Sequence, residues 1–470
     1  MSEGAFRRGW GDEEPPLAGA RPEGAGHAGG PAGPQGPLGR PWAVTGSLVW
    51  AAAAGLTIVA LGGLLGRPDV ALLVVGPLVA GLWGAWLRPR GQVWVDLVPP
   101  ESVTVGELRQ TLRLTTPPGT SAVRLRLSRP EHGSTEVLVD VPLQREVDAV
   151  ARSVRTGPLP LFHVEHQGIG AGAMTVGPHG EEEAETVVVL PRGRAMPALP
   201  MPSRLRGLTG QHDSRRFGQG GALRDVHPFQ PGDAVRQVDW KVTARRSPDL
   251  EQLYVRRTFA LGEAAVVLVV DSRDDVGPDP ATWSGIHAIR PDDATSLDLA
   301  RQAAMTVAEG YLAIGDRVAV EDLGVRRRAL RPGTGRHQLD RLVQQLGLLR
   351  PEGDPPTRLR PPRMPAGSLV YLFSTFLDPE AADMARAWRR TGLTVIAVDV
   401  LPNVRTRGLD ARHWLAMRLV RVDREDRLAE LVRAGVEVVR WADADDTTAR
   451  LQLAARRSHR RPGVARGGRR

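Results

Sequence analysis

The chain has 470 residues with 62 basic and 53 acidic side chains, and its formal net charge is +9. It contains no cysteine, which excludes thiol nucleophiles, disulfides and cysteine-ligated zinc or iron–sulfur sites. Seven arginines in the last fifteen residues account for most of the net positive charge. The sequence contains no basic stripe interleaved with aromatic side chains, so it gives no indication of nucleic acid binding.

The N-terminal region predicts a tail followed by a membrane anchor. Residues 1–40 are rich in Gly, Pro and Ala and lack an apolar run, so we expect a disordered tail. Residues 41–90 predict a two-helix transmembrane hairpin. Its first uncharged run, 41–66, is long enough to cross a hydrocarbon core of about 30 Å as a helix, and the second, 70–87, is near the lower length limit for a span. The alternative is a helical hairpin buried in a soluble core.

The arginine distribution predicts that both termini face the cytoplasm, which makes the chain a cell-membrane protein with two spans. The turn between the two runs contains one arginine, Arg67. More arginines lie outside the runs: Arg7, Arg8, Arg21 and Arg40 before the first run, and Arg88 and Arg90 after the second. Four tryptophans are expected at the membrane interface: Trp42, Trp50, Trp83 and Trp86.

Residues 91–192 predict an all-β, sandwich-like domain, because short alternating segments are separated by turn residues. In segment 123–127 the apolar and arginine side chains alternate with period two. His163, Glu165 and His166 resemble a set of metal ligands. However, His163 and His166 point to opposite faces of a strand, so we interpret them as ordinary strand histidines.

Residues 263–445 predict a doubly wound α/β domain with helices on both faces of a parallel sheet. The buried strands are expected at 264–271, 317–323, 369–373, 393–400 and 436–441, and the helices at 296–314, 338–349, 379–390 and 424–434. Ligands of such sheets bind at the carboxyl ends of the strands, which directs attention to the loops after Asp271 and Phe373. Residues 446–470 predict a terminal helix and an Arg-rich tail, which could contact anionic lipid or an acidic partner.

Residues 193–262 connect these domains and contain a specific motif. A glycine-bearing segment leads to a Pro-Gly-Asp turn, then to arginine, and then to an Asp-Trp-Lys step closed by Ala-Arg. This motif resembles the signature of the domain of unknown function 58 family. The chain as a whole resembles that family from residue 41 to about 445. The matching positions are Gly218, Gly220, Arg224, Pro231, Gly232, Asp233, Arg236, Asp239, Trp240, Lys241, Ala244 and Arg245.

The resemblance implies a membrane anchor, a β domain, the signature and a von Willebrand factor A-like domain. It also implies a link to MoxR-type AAA+ ATPases in the assembly or remodelling of envelope-associated complexes. The signature itself has two interpretations. Its charges could form a structural ion-pair network around Trp240, or they could form a recognition surface for a partner protein.

Lys241 is the single lysine among the 62 basic residues. Its ammonium is compact, so arginine's planar guanidinium is a poor replacement in a tight pocket. We therefore predict that Lys241→Arg impairs function more than an Arg→Lys exchange in the β domain.

Von Willebrand factor A domains often bind magnesium through a DxSxS loop, a threonine and a later aspartate, and such oxygen ligands suit that ion. Here Asp271 matches the first aspartate, whereas Arg273 and Asp275 replace the two serines. Thr334 is assigned to the threonine position, and Thr375 stands where the later aspartate belongs. We predict a metal-free site in which Arg273 pairs with Asp271, and we expect no cofactor.

The sequence lacks the common nucleotide-binding, nucleophile-elbow and zinc-protease motifs, so we predict a non-enzymatic protein. The favoured function is that of a membrane-anchored protein-binding or assembly factor for cytoplasmic partners. The alternatives are a metal-dependent or other enzyme at the inner face of the membrane and a membrane scaffold without a dedicated ATPase. Nucleic acid is not expected as a partner.

Overall fold

The computed structural model describes residues 42–98, 100, 106–129, 133–196, 198–202, 205, 210, 212–285, 287–324, 329–352 and 360–459. Side chains at 213–217, 219–222, 444–446 and 458–459 are not described. The predicted disordered tail, at 1–40, and most of the predicted Arg-rich tail, at 460–470, lie outside the described residues.

The N-terminal part forms a pair of long apolar helices, α1 (Gly46–Leu64) and α2 (Pro68–Trp86). Each has 19 residues and is apolar enough to cross a membrane by length and composition. The buried positions within them are glycines: Gly55 and Gly62 in α1, and Gly81 and Gly84 in α2. Small residues of this kind let two helix backbones approach closely.

The β region that follows has two antiparallel sheets around one apolar core. The sheet orders are β1-β9-β8-β4-β5 and β2-β3-β6, and β7 pairs separately with β10. Their bounds are β1 (Ala43–Val44), β2 (Trp94–Val98), β3 (Gly106–Thr115), β4 (Thr120–Ser128), β5 (Thr135–Asp140), β6 (Gln144–Ser153), β7 (Gly157–Pro160), β8 (His163–Gly170), β9 (Thr175–Glu182) and β10 (Thr186–Val189). The alternation predicted at 123–127 is confirmed, since Val123 and Leu125 are fully buried whereas Arg124 and Arg126 are exposed.

Trp42 corrects one prediction about the interfacial tryptophans. It is 3% exposed and belongs to the core of the β region, where its indole N–H donates to Gly91 O at 2.8 Å. The following residues form β1, which extends the five-stranded sheet by pairing with β9. Trp42 lies in the uncharged run of the sequence but outside α1, because the short edge strand β1 comes between Trp42 and the start of that helix. Trp50, Trp83 and Trp86 are exposed on the helices.

The predicted divergence of the two strand histidines is confirmed. His163 lies partly exposed, 3.2 Å from Glu181, whereas His166 points into the opposite face of the sheet and is 6% exposed. Burial, with a smaller contribution from the charge of His179, lowers the pKa of His166 to about 4. His166 is therefore neutral in the folded protein at any pH well above 4.

We expect His166 to make the protein acid-sensitive. The unfolded chain takes up this proton near pH 6.5 and the folded chain near 4, so stability is full above pH 6.5 and declines as pH falls to about 4. The loss is about 3 kcal/mol. Denaturant titrations of wild type and His166→Leu across this window measure it, with His287→Gln at an exposed histidine as control. Parallel pH profiles for wild type and His166→Leu would contradict the prediction.

A long antiparallel ribbon links the β region to the α/β region. It consists of β11 (His212–Pro228) and β12 (Tyr254–Gly262), with the short helix α3 (Trp240–Arg246) between them. The chain then passes directly into the first strand of the α/β sheet.

The α/β region contains β13 (Ala265–Val270), α4 (Ser296–Ala313), β14 (Arg317–Asp322), β15 (Leu330–Gly333), α5 (Gly335–Gly347), β16 (Leu369–Ser374), α6 (Pro379–Arg390), β17 (Thr394–Asp399), α7 (Ala411–Arg433), β18 (Glu437–Arg440) and α8 (Ala444–His459). The strand order is β15-β14-β13-β16-β17-β18, and only β15 is antiparallel to its neighbour. Residues of α4, α5 and α8 pack on one face and those of α6 and α7 on the other. The carboxyl ends of the five parallel strands therefore lie along one edge of the sheet, which we call the carboxyl edge.

Helix α7 begins thirteen residues before the predicted start at Arg424. Its N-terminal half, residues 411–423, lies mostly exposed and carries apolar side chains that include Trp414, Leu415 and Leu419. The predicted start at Arg424 coincides with the beginning of the buried face of the helix, at Arg424 and Leu428.

A buried polar cluster joins the β region to α4. Asp298 is 4% exposed and accepts hydrogen bonds at 2.7 Å from both the backbone N–H and the hydroxyl of Thr156. It also accepts hydrogen bonds at 2.9 Å from the backbone N–H and the hydroxyl of Thr295, the N-cap residue of α4. Arg155 lies 2.9 Å and Arg301 3.3 Å from its carboxylate. Asp275 lies 3.7 Å from Arg155, so two guanidinium groups face two carboxylates between the two regions.

Candidate functional site

The signature residues lie on the ribbon and around its tip. Gly218 and Leu223 both lie opposite Thr258, so residues 219–222, which include Gly220, have no partner in the ribbon and form a bulge. Gly218 is needed because a Cβ there would lie 2.3 Å from the Cβ of Ala260. Arg224 lies beside the bulge, with its guanidinium 6.0 Å from the centre of the Phe259 ring.

The Pro-Gly-Asp part of the signature forms a tight turn. The Asp233 N–H donates to Gln230 O at 3.0 Å, and Gly232 has a φ of 100°, which favours glycine. The Asp233 carboxylate accepts from the Gln230 N–H at 2.9 Å and lies 3.3 Å from Arg257. The hydrogen bond from the Gln230 backbone, together with Arg257, lowers the pKa of Asp233. Pro231 is exposed at the outside of this turn.

The Asp-Trp-Lys part starts α3 and is fixed to β12. Asp239 is the N-cap, accepting from the Val242 N–H at 3.1 Å, and its own N–H donates to Tyr254 O at 2.8 Å. Thr243 is buried beneath the helix and accepts from the Tyr254 N–H at 3.0 Å. These bonds give a seven-residue helix a defined position despite its short length.

The outer face of this tip is exposed. Trp240 is 60% and Val235 67% exposed, and three cations of the same segment, Arg236, Lys241 and Arg245, are exposed as well. We call these five residues the tip surface. Ala244 is also exposed on α3. Within the described part of the chain, none of the three cations forms an ion pair.

The two interpretations of the signature therefore apply to different residues. The acids take part in local polar contacts, because Asp233 pairs with Arg257 and Asp239 lies 3.8 Å from Arg256. Arg256 and Arg257 lie in β12, after the last signature residue in the sequence. The motif therefore gave no reason to assign them to the site. The predicted cations and Trp240 instead face solvent.

A second polar group lies at the carboxyl edge of the α/β sheet. Asp271 follows β13 and is 4% exposed. The Arg273 guanidinium donates to both of its carboxylate oxygens, Nε to Oδ1 at 2.7 Å and Nη2 to Oδ2 at 2.8 Å. Ser374, at the end of β16, donates its hydroxyl to Asp271 at 2.7 Å.

Arg273 also reaches the start of α6. Its Nη1 lies 2.6 Å from Glu380 Oε2 and its Nη2 lies 3.1 Å from Asp378 Oδ2. Burial opposes the charge of Arg273, but the hydrogen bonds and charges of Asp271, Asp378 and Glu380 outweigh that effect and raise its pKa. Arg273 is therefore a permanent cation among three carboxylates.

Asp274 adds a carboxyl group with unusual acidity to this edge. Burial, followed by the charge of Asp271, raises the pKa of Asp274 to about 7. Thr375, where the resemblance places an aspartate, donates its hydroxyl to Asp274 at 3.0 Å. Thr375 therefore contacts the neighbour of Asp271 rather than Asp271 itself.

Two of the predicted metal-site positions lie elsewhere. Asp275 points toward α4, where it accepts from the Leu297 N–H at 3.1 Å and lies 3.7 Å from Arg155. Thr334 follows Gly333, which pairs with Val318 near the start of β14, whereas Asp271 lies at the carboxyl edge. The assignment of Thr334 to this site is wrong, because β15 runs antiparallel and carries Thr334 to the opposite edge of the sheet.

Sequence analysis missed Asp378 and Glu380, although a signal was present. Asp378 precedes Pro379 and caps α6 by accepting from the Glu380 N–H at 2.8 Å, which is a recognisable helix-start pattern. Among the described residues, no three His, Asp or Glu side chains are arranged to hold a metal ion.

A cleft of about 630 Å³ lies farther along the same edge, between the loop after β17 and the exposed half of α7. Asp399 and Arg424 form a buried ion pair in its wall, and Trp414 and Met417 contribute apolar surface.

Comparisons with known proteins support part of the resemblance. No curated protein matches the chain. Ten solved chains match, among them a cell-surface-expressed multi-modular chitinase from Paenibacillus sp. str. FPU-7, at 11% identity over 77% of this chain and 26% of that one. Its TM-score is 0.15, so neither fold nor function is transferred from it.

The model of the family described as "Protein of unknown function DUF58" matches residues 225–407. This match starts after Gly218, Gly220 and Arg224 and ends before α7, so it is shorter than the predicted resemblance. It includes the tip surface and the group formed by Asp271, Arg273, Asp378 and Glu380, which we call the Arg273 group. It supports assignment of this segment to the DUF58 family.

Proposed function

We propose that this chain is a membrane-anchored, non-enzymatic binding factor that presents its tip surface to a cytoplasmic partner protein. In this proposal α1 and α2 cross the bilayer, the β region is a sandwich next to it, and the α/β region is a von Willebrand factor A-like domain. The family resemblance makes a MoxR-type AAA+ ATPase the expected partner.

The tip surface carries this proposal. Trp240 exposes most of a large apolar ring in a segment that also exposes two arginines, and tryptophan and arginine are among the residue types most enriched at energetic centres of protein interfaces. Because Asp239 and Thr243 fix α3 to the ribbon, the surface is already ordered before a partner binds. Preorganisation of this kind lowers the entropic cost of association.

The charge of the tip surface indicates what the partner offers. Arg236, Lys241 and Arg245 are exposed in the same short segment as Trp240, so a complementary surface carries acidic residues as well as an apolar pocket. The membrane part of the proposal depends on the length and uncharged character of α1 and α2 and on the arginines that flank them.

Co-purification of the full chain after detergent extraction tests this function. We expect wild type to recover a AAA+ ATPase, and Lys241→Arg to recover less of it, because the broader guanidinium does not fit a pocket formed for an ammonium. Arg124→Lys, at an exposed arginine of the β region, is the matched control. Equal recovery by both variants and wild type would refute a role for Lys241. Turnover of a small substrate by the full chain would favour the enzyme alternative.

A further inference from the structure

The Arg273 group lies where the resemblance predicts a magnesium site, and its residues do not fit that ion. Mg²⁺ needs oxygen ligands that converge on one point in a near-octahedral arrangement. Asp271, Asp378 and Glu380 do converge, but on the guanidinium of Arg273, at 2.7, 3.1 and 2.6 Å. A permanent cation thus occupies the place where the ion would be bound.

The surroundings of Arg273 hold it there. Its side chain is almost completely buried, and its planar fork donates to both Asp271 oxygens on one side and to α6 on the other. A bidentate arginine–carboxylate pair is geometrically specific as well as strong. Displacement by a dissolved ion would require the guanidinium to leave three carboxylates at once.

We propose that Arg273 is a built-in replacement for a divalent cation, joining the loop after β13 to the start of α6. The connection is permanent and independent of the concentration of divalent ions. A partner carboxylate therefore cannot dock at this edge as a further ligand of a bound metal ion. The inference concerns a different part of the molecule from the tip surface and does not depend on the proposed partner.

Thermal unfolding of the full chain in detergent tests this, with Mg²⁺ and Mn²⁺ as probes. We expect neither ion to change the Tm of wild type. Arg273→Ala should lower Tm on the order of 10 °C, because it leaves the buried carboxylate of Asp271 without a counter-charge and frees the start of α6. Millimolar Mg²⁺ should then restore about half of that loss, since three carboxylates are left around one empty position.

Arg424→Ala is the matched control. Arg424 is also buried at the carboxyl edge, but among the described residues the one carboxylate that it pairs with is Asp399. Its loss should lower Tm without any recovery in Mg²⁺, because one carboxylate is a poor site for that ion.

Two results would overturn the inference. The first is stoichiometric Mg²⁺ binding by wild type, measured by calorimetry and abolished in Asp271→Ala. The second is a folded Arg273→Ala variant that neither loses stability nor gains affinity for Mg²⁺. If Arg273→Ala does not fold, calorimetry on wild type decides alone, because binding refutes the inference and its absence at millimolar Mg²⁺ supports it.

Discussion

Replacing Trp240 with alanine is expected to raise the Kd of the partner complex by about 30-fold, corresponding to about 2 kcal/mol at an interface hot spot. The ring is 60% exposed and packs little within the chain. Its removal should therefore change the free energy of unfolding by less than about 0.5 kcal/mol. Binding of the purified full chain to the co-purified ATPase measures the first quantity, and denaturant titration the second.

Trp414→Ala provides the matched control, since Trp414 is also a partly exposed tryptophan on a helix but lies in α7, outside the tip surface. We expect its binding to equal that of wild type. If the two variants weakened binding equally, exposed tryptophans in general would be responsible and the tip surface would not be the recognition site. Unchanged binding by Trp240→Ala would remove the main support for the proposed function.

Asp298→Ala should destabilise the protein by about 3–5 kcal/mol, because it removes the carboxylate that lies 3.3 Å from Arg301 and leaves this buried guanidinium without its ion-pair partner. The variant also loses the hydrogen bonds that Thr156 and Thr295 donate to the carboxylate. Since Thr156 belongs to the β region and Thr295 to the α/β region, both regions should unfold at lower denaturant concentration. Urea titration followed by circular dichroism measures the loss.

Asp148→Ala is the control for this experiment. Asp148 lies 3.6 Å from Arg109 in an exposed pair, which should contribute well under about 1 kcal/mol. A loss in Asp298→Ala no larger than that of the control would show that the buried cluster does not hold the two regions together.

The α/β elements could be predicted from local pattern because their strands are continuous apolar runs. All six residues of β13 and of β16 are buried, as those runs predicted. The start of α7 could not be predicted in the same way. Its first half is mostly exposed, so burial does not mark it, although Leu415, Leu419 and Val422 stand at helical spacing and were a usable signal.

The candidate sites were predictable only in part, because residues distant in sequence complete them. The Pro231–Asp239 segment could be recognised from its motif, but not its exposure on a ribbon tip. Asp271 and Arg273 are near neighbours and their pairing could be inferred, whereas Glu380 comes from 107 residues further along the chain. The contact between Thr156 and Asp298 spans 142 residues and leaves no local signal.

Trp42 and β1 also determine how α1 is joined to the β region. The chain passes from a buried indole through two paired residues into α1 with only Thr45 between, and Thr45 is itself bonded to Met174 O at 3.0 Å. Gly84, near the end of α2, packs against the same Met174. If α1 and α2 cross a bilayer as proposed, these contacts join the β region to both helices without a flexible linker. A change in helix tilt would therefore rotate the β region with it.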